Sequence, residues 1–187
     1  DVYELIVIGV SWGGLDAVSR LLGGLSDEVH QPIVVAQHRS PSSQADVLSG
    51  LLQGHTRRVV GDPDDKSVIE PDRVYIGPPD YHVLVENGRL ALSTDAPVNH
   101  ARPSIDVLFE SAADAYAERL VGIVLTGASE DGAAGLARIK ARGGVAIVQD
   151  PETSARRTMP DAAIAATNAD AILPLEEIPL FLYGLCA

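Results

Sequence analysis

Cysteine is almost absent from the 187-residue sequence, which contains only Cys186. One thiol cannot form an internal disulfide or a cysteine-based zinc site, and a chain without disulfides is typical of a reducing cytoplasm. We therefore expect a cytoplasmic protein. Aromatic residues are also rare: they make up 4% of the chain, whereas hydrophobic residues make up 46%. The sequence thus predicts a globular core built from Val, Ile, Leu and Ala.

Basic residues are scarce as well. The 14 Lys and Arg residues face 26 Asp and Glu residues, which gives a formal net charge of −12. Such a surface repels phosphate backbones, so we expect no nucleic-acid partner. The sequence has no basic amphipathic helix and no apolar run near the ~18 residues of a membrane span, so we expect no insertion into a membrane. No signal-peptide pattern precedes the first predicted strand, and an opening Asp1 rather than Met favours origin from a longer chain.

Short apolar runs alternate with helical patterns along most of the chain. Buried strands are predicted at residues 5–8, 33–36, 120–125, 145–148 and 171–173. Helices are predicted at residues 15–25, 42–52, 105–116, 131–141, 160–166 and 175–185. Ser42 or Ser43 fits the cap of the second helix, and Pro160 fits the first position of the fifth. This alternation is typical of an α/β fold with a largely parallel sheet.

Residues 57–94 interrupt this alternation. A predicted strand at residues 73–76 ends at Gly77-Pro78-Pro79, and two later apolar runs flank Asn87-Gly88, a strong signal for a two-residue hairpin. We expect this hairpin to form an antiparallel extension at one edge of the parallel sheet. The sequence therefore predicts one α/β domain over residues 1–187, a doubly wound, mostly parallel sheet in a Rossmann-like three-layer sandwich.

Three reactive residues follow predicted parallel strands. Ser11 and His38 lie just beyond the first and second strands, and Asp131 lies shortly after the strand at residues 120–125. Because the sites of open α/β sheets sit at the carboxyl ends of the strands, we expect the three side chains at one edge of the sheet. A nucleophile, a base and an orienting carboxylate in one place predict a Ser-His-Asp triad.

The turn around Ser11 also fits covalent catalysis. A serine in a strand-to-helix turn, followed by Gly13 and Gly14, is open to an approaching substrate. The free N–H groups of the helix N-terminus point into the space over its hydroxyl. Those donors suit the oxyanion of a tetrahedral intermediate, and the backbone N–H of Trp12 is the first candidate.

Each residue of the triad also has a purely structural interpretation. Ser11 alone equally fits the N-cap of the first helix, His38 fits a loop or core histidine, and Asp131 fits a first-turn carboxylate that interacts with the helix dipole. In that setting, Asp131→Asn is expected to leave the stability nearly unchanged. Asp106 and Asp150 are the next candidates for the acid.

Six motifs in the chain resemble those of a known family. They are residues 8–14 (IGVSWGG), 35–38 (VAQH), 75–82 (YIGPPDYH), 102–109 (RPSIDVLF), 125–132 (LTGASEDG) and the pair Met159-Pro160. They follow one another in the family's order and span almost the whole chain. In these motifs the sequence resembles the CheB-type protein-glutamate methylesterases of bacterial chemotaxis.

The resemblance implies a triad of Ser11, His38 and Asp131, and an oxyanion donor at the backbone N–H of Ala128. The family usually has a long side chain at the position of Ala128 and a small polar one at that of Trp12, so we expect a pocket of different shape. The implied activity is hydrolysis of glutamate methyl esters on the cytoplasmic helices of chemoreceptors through an acyl-enzyme; the family also deamidates receptor glutamines. No metal and no organic cofactor are implied, and a receiver domain in cis is an expected partner.

Three further residues match family positions. His82 is a candidate for the substrate side of the site or for a structural hydrogen bond. Arg102 either receives a carboxylate or fixes its loop. Met159, at the start of a helix, is a candidate substrate contact.

Two other functions stay open. One is a phosphate- or nucleotide-binding module that uses the turn at residues 9–14, although its spacing is not G-x-G-x-x-G and the second strand ends in Gln37-His38 rather than in an acidic residue. The other is a catalytically inactive relative that serves as a protein-interaction domain.

Overall fold

A parallel sheet forms the centre of the computed structural model, which describes residues 2–187. The strands, in chain order, are β1 (Leu5–Val10), β2 (Ile33–Gln37), β3 (Val59–Gly61), β4 (Ser67–Val68), β5 (Arg73–Ile76), β6 (His82–Glu86), β7 (Arg89–Ser93), β8 (Leu120–Val124), β9 (Val145–Gln149) and β10 (Ala171–Leu173). Seven of them pair in the order β10-β9-β8-β1-β2-β5-β3, and every pair is parallel. All six residues of β1 are buried, as expected for a strand covered on both faces.

Helices cover both faces of this sheet. They are α1 (Gly14–Gly24), α2 (Val47–Gln53), α3 (Ile105–Tyr116), α4 (Ala133–Ala141), α5 (Thr158–Ala166) and α6 (Ile178–Cys186). One core cluster joins α1, α2 and α6 to the sheet, and the other joins α3, α4 and α5 to its opposite face. Each fully buried Leu, Ile or Phe, such as Leu21 or Phe109, contributes about 1.5–3 kcal/mol. The predicted doubly wound, three-layer fold is confirmed.

The hairpin at Asn87-Gly88 is confirmed, but it does not extend the main sheet. Strands β6 and β7 pair with β4 in a separate antiparallel sheet of order β4-β7-β6. The alternation in β6 buries Val83 and Val85 in the same cluster as Phe109 of α3. Because α3 itself lies on the main sheet, the hairpin stacks over the helix instead of adding a strand to the edge.

Five helices begin at other residues than the sequence predicts, among them α1 at Gly14 and α6 at Ile178, which follows a short 3-10 turn at Leu175–Glu177. Helix α2 begins at Val47 after a left-handed Asp46, because Ser42 is engaged in a turn where its hydroxyl lies 2.8 Å from that of Ser40. Helix α5 begins two residues before Pro160, whose missing N–H is harmless in a first turn. Helix α4 begins at Ala133. Within residues 2–187, no helix combines the length and the apolar character needed to cross a bilayer.

The strand order reverses at β1, the point where doubly wound sheets usually have their ligand crevice. The chain builds β2, β5 and β3 on one side of β1, then passes to β8, β9 and β10 on the other. Such a reversal of strand order separates the connecting loops and leaves the usual ligand crevice of doubly wound sheets. The loops after β1, β2 and β8 border it.

Candidate active site

Ser11 and His38 lie side by side at the end of neighbouring strands. Val10 of β1 pairs with Gln37 of β2, so the next residues of the two strands are adjacent. The backbone N–H of His38 donates to Val10 O at 3.1 Å, and that of Ser11 donates to Thr126 O at 2.9 Å. Within residues 2–187, the Ser11 hydroxyl makes no hydrogen bond to the imidazole. Such contacts commonly tighten only when substrate binds.

The Ser11 hydroxyl does not cap the first helix. The N-cap of α1 is Gly13, in a left-handed conformation with φ of 80°, and no side chain caps the helix. Only glycine adopts this conformation without strain. Gly127 approaches from β8, and a Cβ there would lie 2.8 Å from Ser11 Cβ. The side chain of Ser11 is therefore held by tight backbone packing and has its hydroxyl free for chemistry.

Asp131 binds His38 and lies at the centre of a dense set of donors. Its Oδ2 accepts hydrogen bonds from His38 Nε2 and Ile105 N, both at 2.7 Å. Its Oδ1 accepts from Asn99 Nδ2 at 2.8 Å, and from Ser104 Oγ and Asp106 N at 3.0 Å. Its side chain is fully buried. Burial raises the pKa of Asp131, but the hydrogen bonds, led by that of His38, outweigh burial and hold this pKa below its ordinary value.

Asp131 interacts with the N-terminus of α3 and not with that of α4, the helix that follows it in the chain. The predicted first-turn position is wrong, because Asp131 precedes Gly132, the N-cap of α4. Its carboxylate instead accepts from the first backbone N–H groups of α3, at Ile105 and Asp106. Free N–H groups at a helix N-terminus carry partial positive charge, so they stabilise the ionised carboxylate.

Asp106 forms the counterpart of this arrangement. It accepts from Gly132 N at 3.0 Å, from Gly135 N at 2.7 Å and from Asn99 Nδ2 at 2.8 Å. Burial raises the pKa of Asp106; the backbone hydrogen bond from Gly135 opposes this rise, and the negative charge of Asp131 adds to it. In this geometry Asp106 does not contact His38. The side chain of Asp150, the other alternative acid, accepts from Glu152 N.

Two backbone N–H groups near Ser11 are available to a ligand. Those of Trp12 and Ala128 donate to no protein group within the described residues. The carbonyl of Gly127 accepts from Met159 N at 3.0 Å, which fixes the peptide between Gly127 and Ala128. Because C=O and N–H point in opposite directions in a trans peptide, the Ala128 N–H points away from Met159. A fixed, unpaired donor of this kind suits an oxyanion.

The CheB methylesterase family model matches residues 6–182 of the chain. The chain belongs to this family. A crystal structure of the Thermotoga maritima CheB methylesterase catalytic domain superposes with a TM-score of 0.91 at 32% identity and covers 98% of both chains. The fold described above is therefore that of a CheB-type domain.

Curated relatives of this CheB-family chain differ in length. One from Leptospira interrogans, which carries the name protein-glutamate methylesterase/protein-glutamine glutaminase provisionally, is 43% identical over 94% of this chain and 91% of its own length. A relative from Anaeromyxobacter dehalogenans, called protein-glutamate methylesterase/protein-glutamine glutaminase 2, is 39% identical over 94% of this chain. The alignment covers 51% of that relative, so the chain spans about half its length.

His82, at a position that resembles a CheB-family histidine, makes structural hydrogen bonds. Its side chain is buried, and its Nδ1 accepts from Ser104 N at 3.2 Å. The proton of a neutral imidazole then resides on Nε2, which donates to Ala96 O at 2.9 Å. Of the two roles left open for His82, this geometry supports the structural hydrogen bond. It fixes Ser104, whose hydroxyl binds Asp131.

Arg102 and Met159 also have structural contacts. Arg102 donates to Asp80 Oδ1 from Nη2 at 2.6 Å and to the carbonyls of residues 94–95, so it fixes a loop and has its donors occupied. Met159 is fully buried. Its methyl group lies 2.6 Å from where a Cβ of Gly127 would be, so Met159 supports the Gly127 loop from within the core. No local pattern pointed to Asn99, because its two partners come from segments beyond its own loop.

Proposed function

We propose that this chain hydrolyses glutamate methyl esters on the cytoplasmic helices of chemoreceptors. The observation that carries the proposal is the 2.7 Å contact of His38 Nε2 with the buried Asp131, beside Ser11 at the carboxyl end of β1. Family membership and the enzyme names of the relatives support the ester as substrate. We assign Ser11 as nucleophile, His38 as base and Asp131 as the orienting acid.

In the first half of the reaction, Ser11 Oγ attacks the ester carbonyl carbon. Its proton passes to Nδ1 of His38, because Nε2 is engaged by Asp131. The N–H groups of Trp12 and Ala128 donate to the oxyanion of the tetrahedral intermediate. Collapse of the intermediate breaks the C–O bond to methoxide, which takes the proton from His38 and leaves as methanol. An acyl-enzyme on Ser11 is the product of this half.

In the second half, water attacks the acyl carbon and gives a proton to His38. The tetrahedral intermediate expels Ser11 Oγ, which receives that proton, and the carboxylic acid so formed loses its remaining proton to solvent and leaves as a glutamate carboxylate. Asp131 stabilises the imidazolium in both halves because it stays ionised and holds the ring in one orientation. The same steps convert a glutamine side chain to glutamate when ammonia replaces methanol as the leaving group, and we include this deamidation in the proposal.

The polypeptide context forms a separate part of the proposal. We take residues 1–187 as one catalytic domain that acts in the cytoplasm on a protein substrate. The relatives include one of similar length and one about twice as long. Because the relatives differ in length in this way, the sequence of the complete gene is the observation that tests for a receiver domain in cis.

Labelling with a fluorophosphonate tests the chemistry directly. We expect the probe to modify Ser11, and methanol release from a methylated receptor fragment to fall to background in Ser11→Ala. Ser11→Ala should keep its melting temperature, because the hydroxyl caps no helix. A label at another residue, with Ser11 unmodified, would overturn the assignment. A melting shift with nucleotides, without labelling, would favour the phosphate-binding alternative, and neither response would indicate an inactive relative.

A further inference from the structure

Trp12 is an exposed aromatic residue directly beside the proposed nucleophile. It is the only tryptophan in the chain, and 60% of its surface is exposed. Exposed Trp and Arg side chains are enriched where proteins bind partners, because they supply large contact areas together with hydrogen bonds. A substrate segment whose side chain reaches Ser11 passes this ring.

The guanidinium of Arg156 lies over the ring of Trp12 in a cation–π contact, with 5.0 Å between its central carbon and the ring centroid. The backbone of Arg156 is fixed as well: its N–H donates to Thr126 Oγ1 at 2.9 Å, and its carbonyl accepts from Gly127 N at 3.1 Å. Since residues 126–127 lead to Ala128, the backbone of Arg156 is held at a set position relative to the proposed oxyanion donors. Within residues 2–187 the side-chain N–H groups of Arg156 donate to no protein group, so they are available to a ligand.

Arg156 carries a charge that no carboxylate neutralises. In the described part of the chain it forms no ion pair, whereas the adjacent Arg157 pairs with Glu152 at 3.0 Å and with Asp161 at 2.8 Å. The chain has a net charge of −12, so an unpaired cation beside the reactive serine gives this part of the surface a charge opposite in sign to that of the whole chain. Carboxylates are the protein groups that a planar guanidinium binds in a bidentate manner.

We infer that Trp12 and Arg156 form a docking surface for an acidic substrate helix. Arg156 binds a carboxylate on the helix that carries the scissile ester, and Trp12 packs against apolar atoms of the same helix. The inference rests on the proposed function for the identity of the ester, but the surface can be tested without turnover. Arg156 is then a specificity-determining residue, since it touches the substrate away from the reacting atoms.

A binding titration with two helical peptides tests this surface. Each peptide has about 20 residues, enough for a helix to form, and one central glutamate. The acidic peptide has further glutamates one turn to either side, and the neutral peptide has glutamines there. Fluorescence reports docking directly, because Trp12 is the only tryptophan.

We expect saturable binding of the acidic peptide, about tenfold weaker in Arg156→Gln and nearly unchanged in the matched control Arg157→Gln. Arg156→Lys should lie between the parent and Arg156→Gln, because an ammonium keeps the charge but lacks the planar fork. Added salt should weaken binding of the acidic peptide more than that of the neutral one. Equal affinity of the acidic peptide for the parent chain and for Arg156→Gln would overturn the inference, as would equal affinity of the parent for both peptides.

Methanol release from the methyl esters of both peptides separates this inference from the proposed function. Arg156→Gln should lower the ratio of kcat/KM for the acidic over the neutral ester about tenfold, and Arg157→Gln should leave that ratio unchanged. An unchanged ratio in Arg156→Gln would overturn the docking surface while the esterase stands. No methanol from either ester in the parent chain would contradict the esterase, and the fluorescence titration would still decide the docking surface.

Discussion

Asp131 and Asp106 are bound in a reciprocal way. The carboxylate of each residue accepts hydrogen bonds from the N-terminus of the helix next to the other residue. Asp131 lies just before α4 and binds the first N–H groups of α3, while Asp106, in the first turn of α3, binds Gly132 and Gly135 of α4. Asn99 Nδ2 donates to both carboxylates at 2.8 Å. The proposed triad acid is therefore held by the N-terminus of α3 and by an amide that it shares with Asp106.

Asp131→Asn should reduce both turnover and stability. Both carboxylate oxygens of Asp131 accept hydrogen bonds from buried donors. An Asn amide has only one oxygen, so in either orientation its NH2 group faces donors that need an acceptor. Removal of one partner from a buried charged network costs about 3–5 kcal/mol, so we now expect a loss of stability in place of the near-neutral effect predicted for a helix-start position. Turnover should fall at least about a hundredfold, since the equivalent Asp-to-Asn change in a serine-protease triad costs ~10⁴-fold in kcat.

Urea unfolding and single-turnover methanol release measure the two effects of Asp131→Asn separately. Asp150→Asn is the matched control, because within residues 2–187 the Asp150 side chain accepts only from Glu152 N, in the local turn at residues 151–153. Turnover of Asp131→Asn within a few-fold of the parent, in protein shown to be folded, would remove Asp131 from the triad.

Asn99→Ala should move the loss of activity in acid to higher pH. The hydrogen bond from Asn99 is one of those that lower the pKa of Asp131, so its removal raises that pKa. The carboxylate is then neutralised at a higher pH, and a neutral acid stabilises the imidazolium of His38 less well. The pH profile of single-turnover methanol release measures this shift. Asn168→Ala, at an exposed asparagine, is the control and should keep the parent profile; an unshifted profile for Asn99→Ala would contradict the proposed support.

Local patterns were sufficient to predict that Ser11 and His38 lie at the carboxyl ends of two strands, because each follows an apolar run that forms a buried strand. The surroundings of Asp131 were beyond such patterns. Its donors at residues 99–106 lie more than two dozen positions earlier and reach it only because α3 packs tightly on β1, where Gly9 has no side chain to block Ile105. The start of α2 was missed for a related reason: Ser42 bonds Ser40 and not a helix backbone.

The two carboxylates should affect stability against pH with opposite signs. The pKa of Asp131 is lowered in the folded chain, so its contribution is present above the unfolded value of about 3.9 and is lost as pH falls through the lower folded pKa. The pKa of Asp106 is raised, so its contribution is present below about 3.9 and is lost as pH rises through the higher folded pKa.

Urea unfolding of the parent, Asp131→Asn and Asp106→Asn as a function of pH measures these contributions. As pH falls from neutral, the stability advantage of the parent over Asp106→Asn should grow, and its advantage over Asp131→Asn should shrink in the acid range. Parallel changes for the two variants would contradict the opposite pKa directions.

Gly127→Ala should impair turnover through Ser11 and stability through Met159. The added Cβ would lie 2.6 Å from Met159 Cε and 2.8 Å from Ser11 Cβ. Overpacking of this kind costs about 1–3 kcal/mol. The thioether end of Met159 can move, but Ser11 Cβ is fixed by its backbone, so the nucleophile itself has to shift. Displacement of a reacting group by about 1 Å can cost ~10²-fold in rate.

A second substitution, Met159→Ala, separates the two effects of Gly127→Ala. In the double variant the new methyl group partly fills the space left by the thioether, so the stability losses of the two single variants should be less than additive. Turnover should stay low, because the contact with Ser11 persists. Thermal unfolding and single-turnover methanol release of the four proteins of this cycle test the expectation. Recovery of turnover in the double variant would show that Met159, not Ser11, limits the space at Gly127.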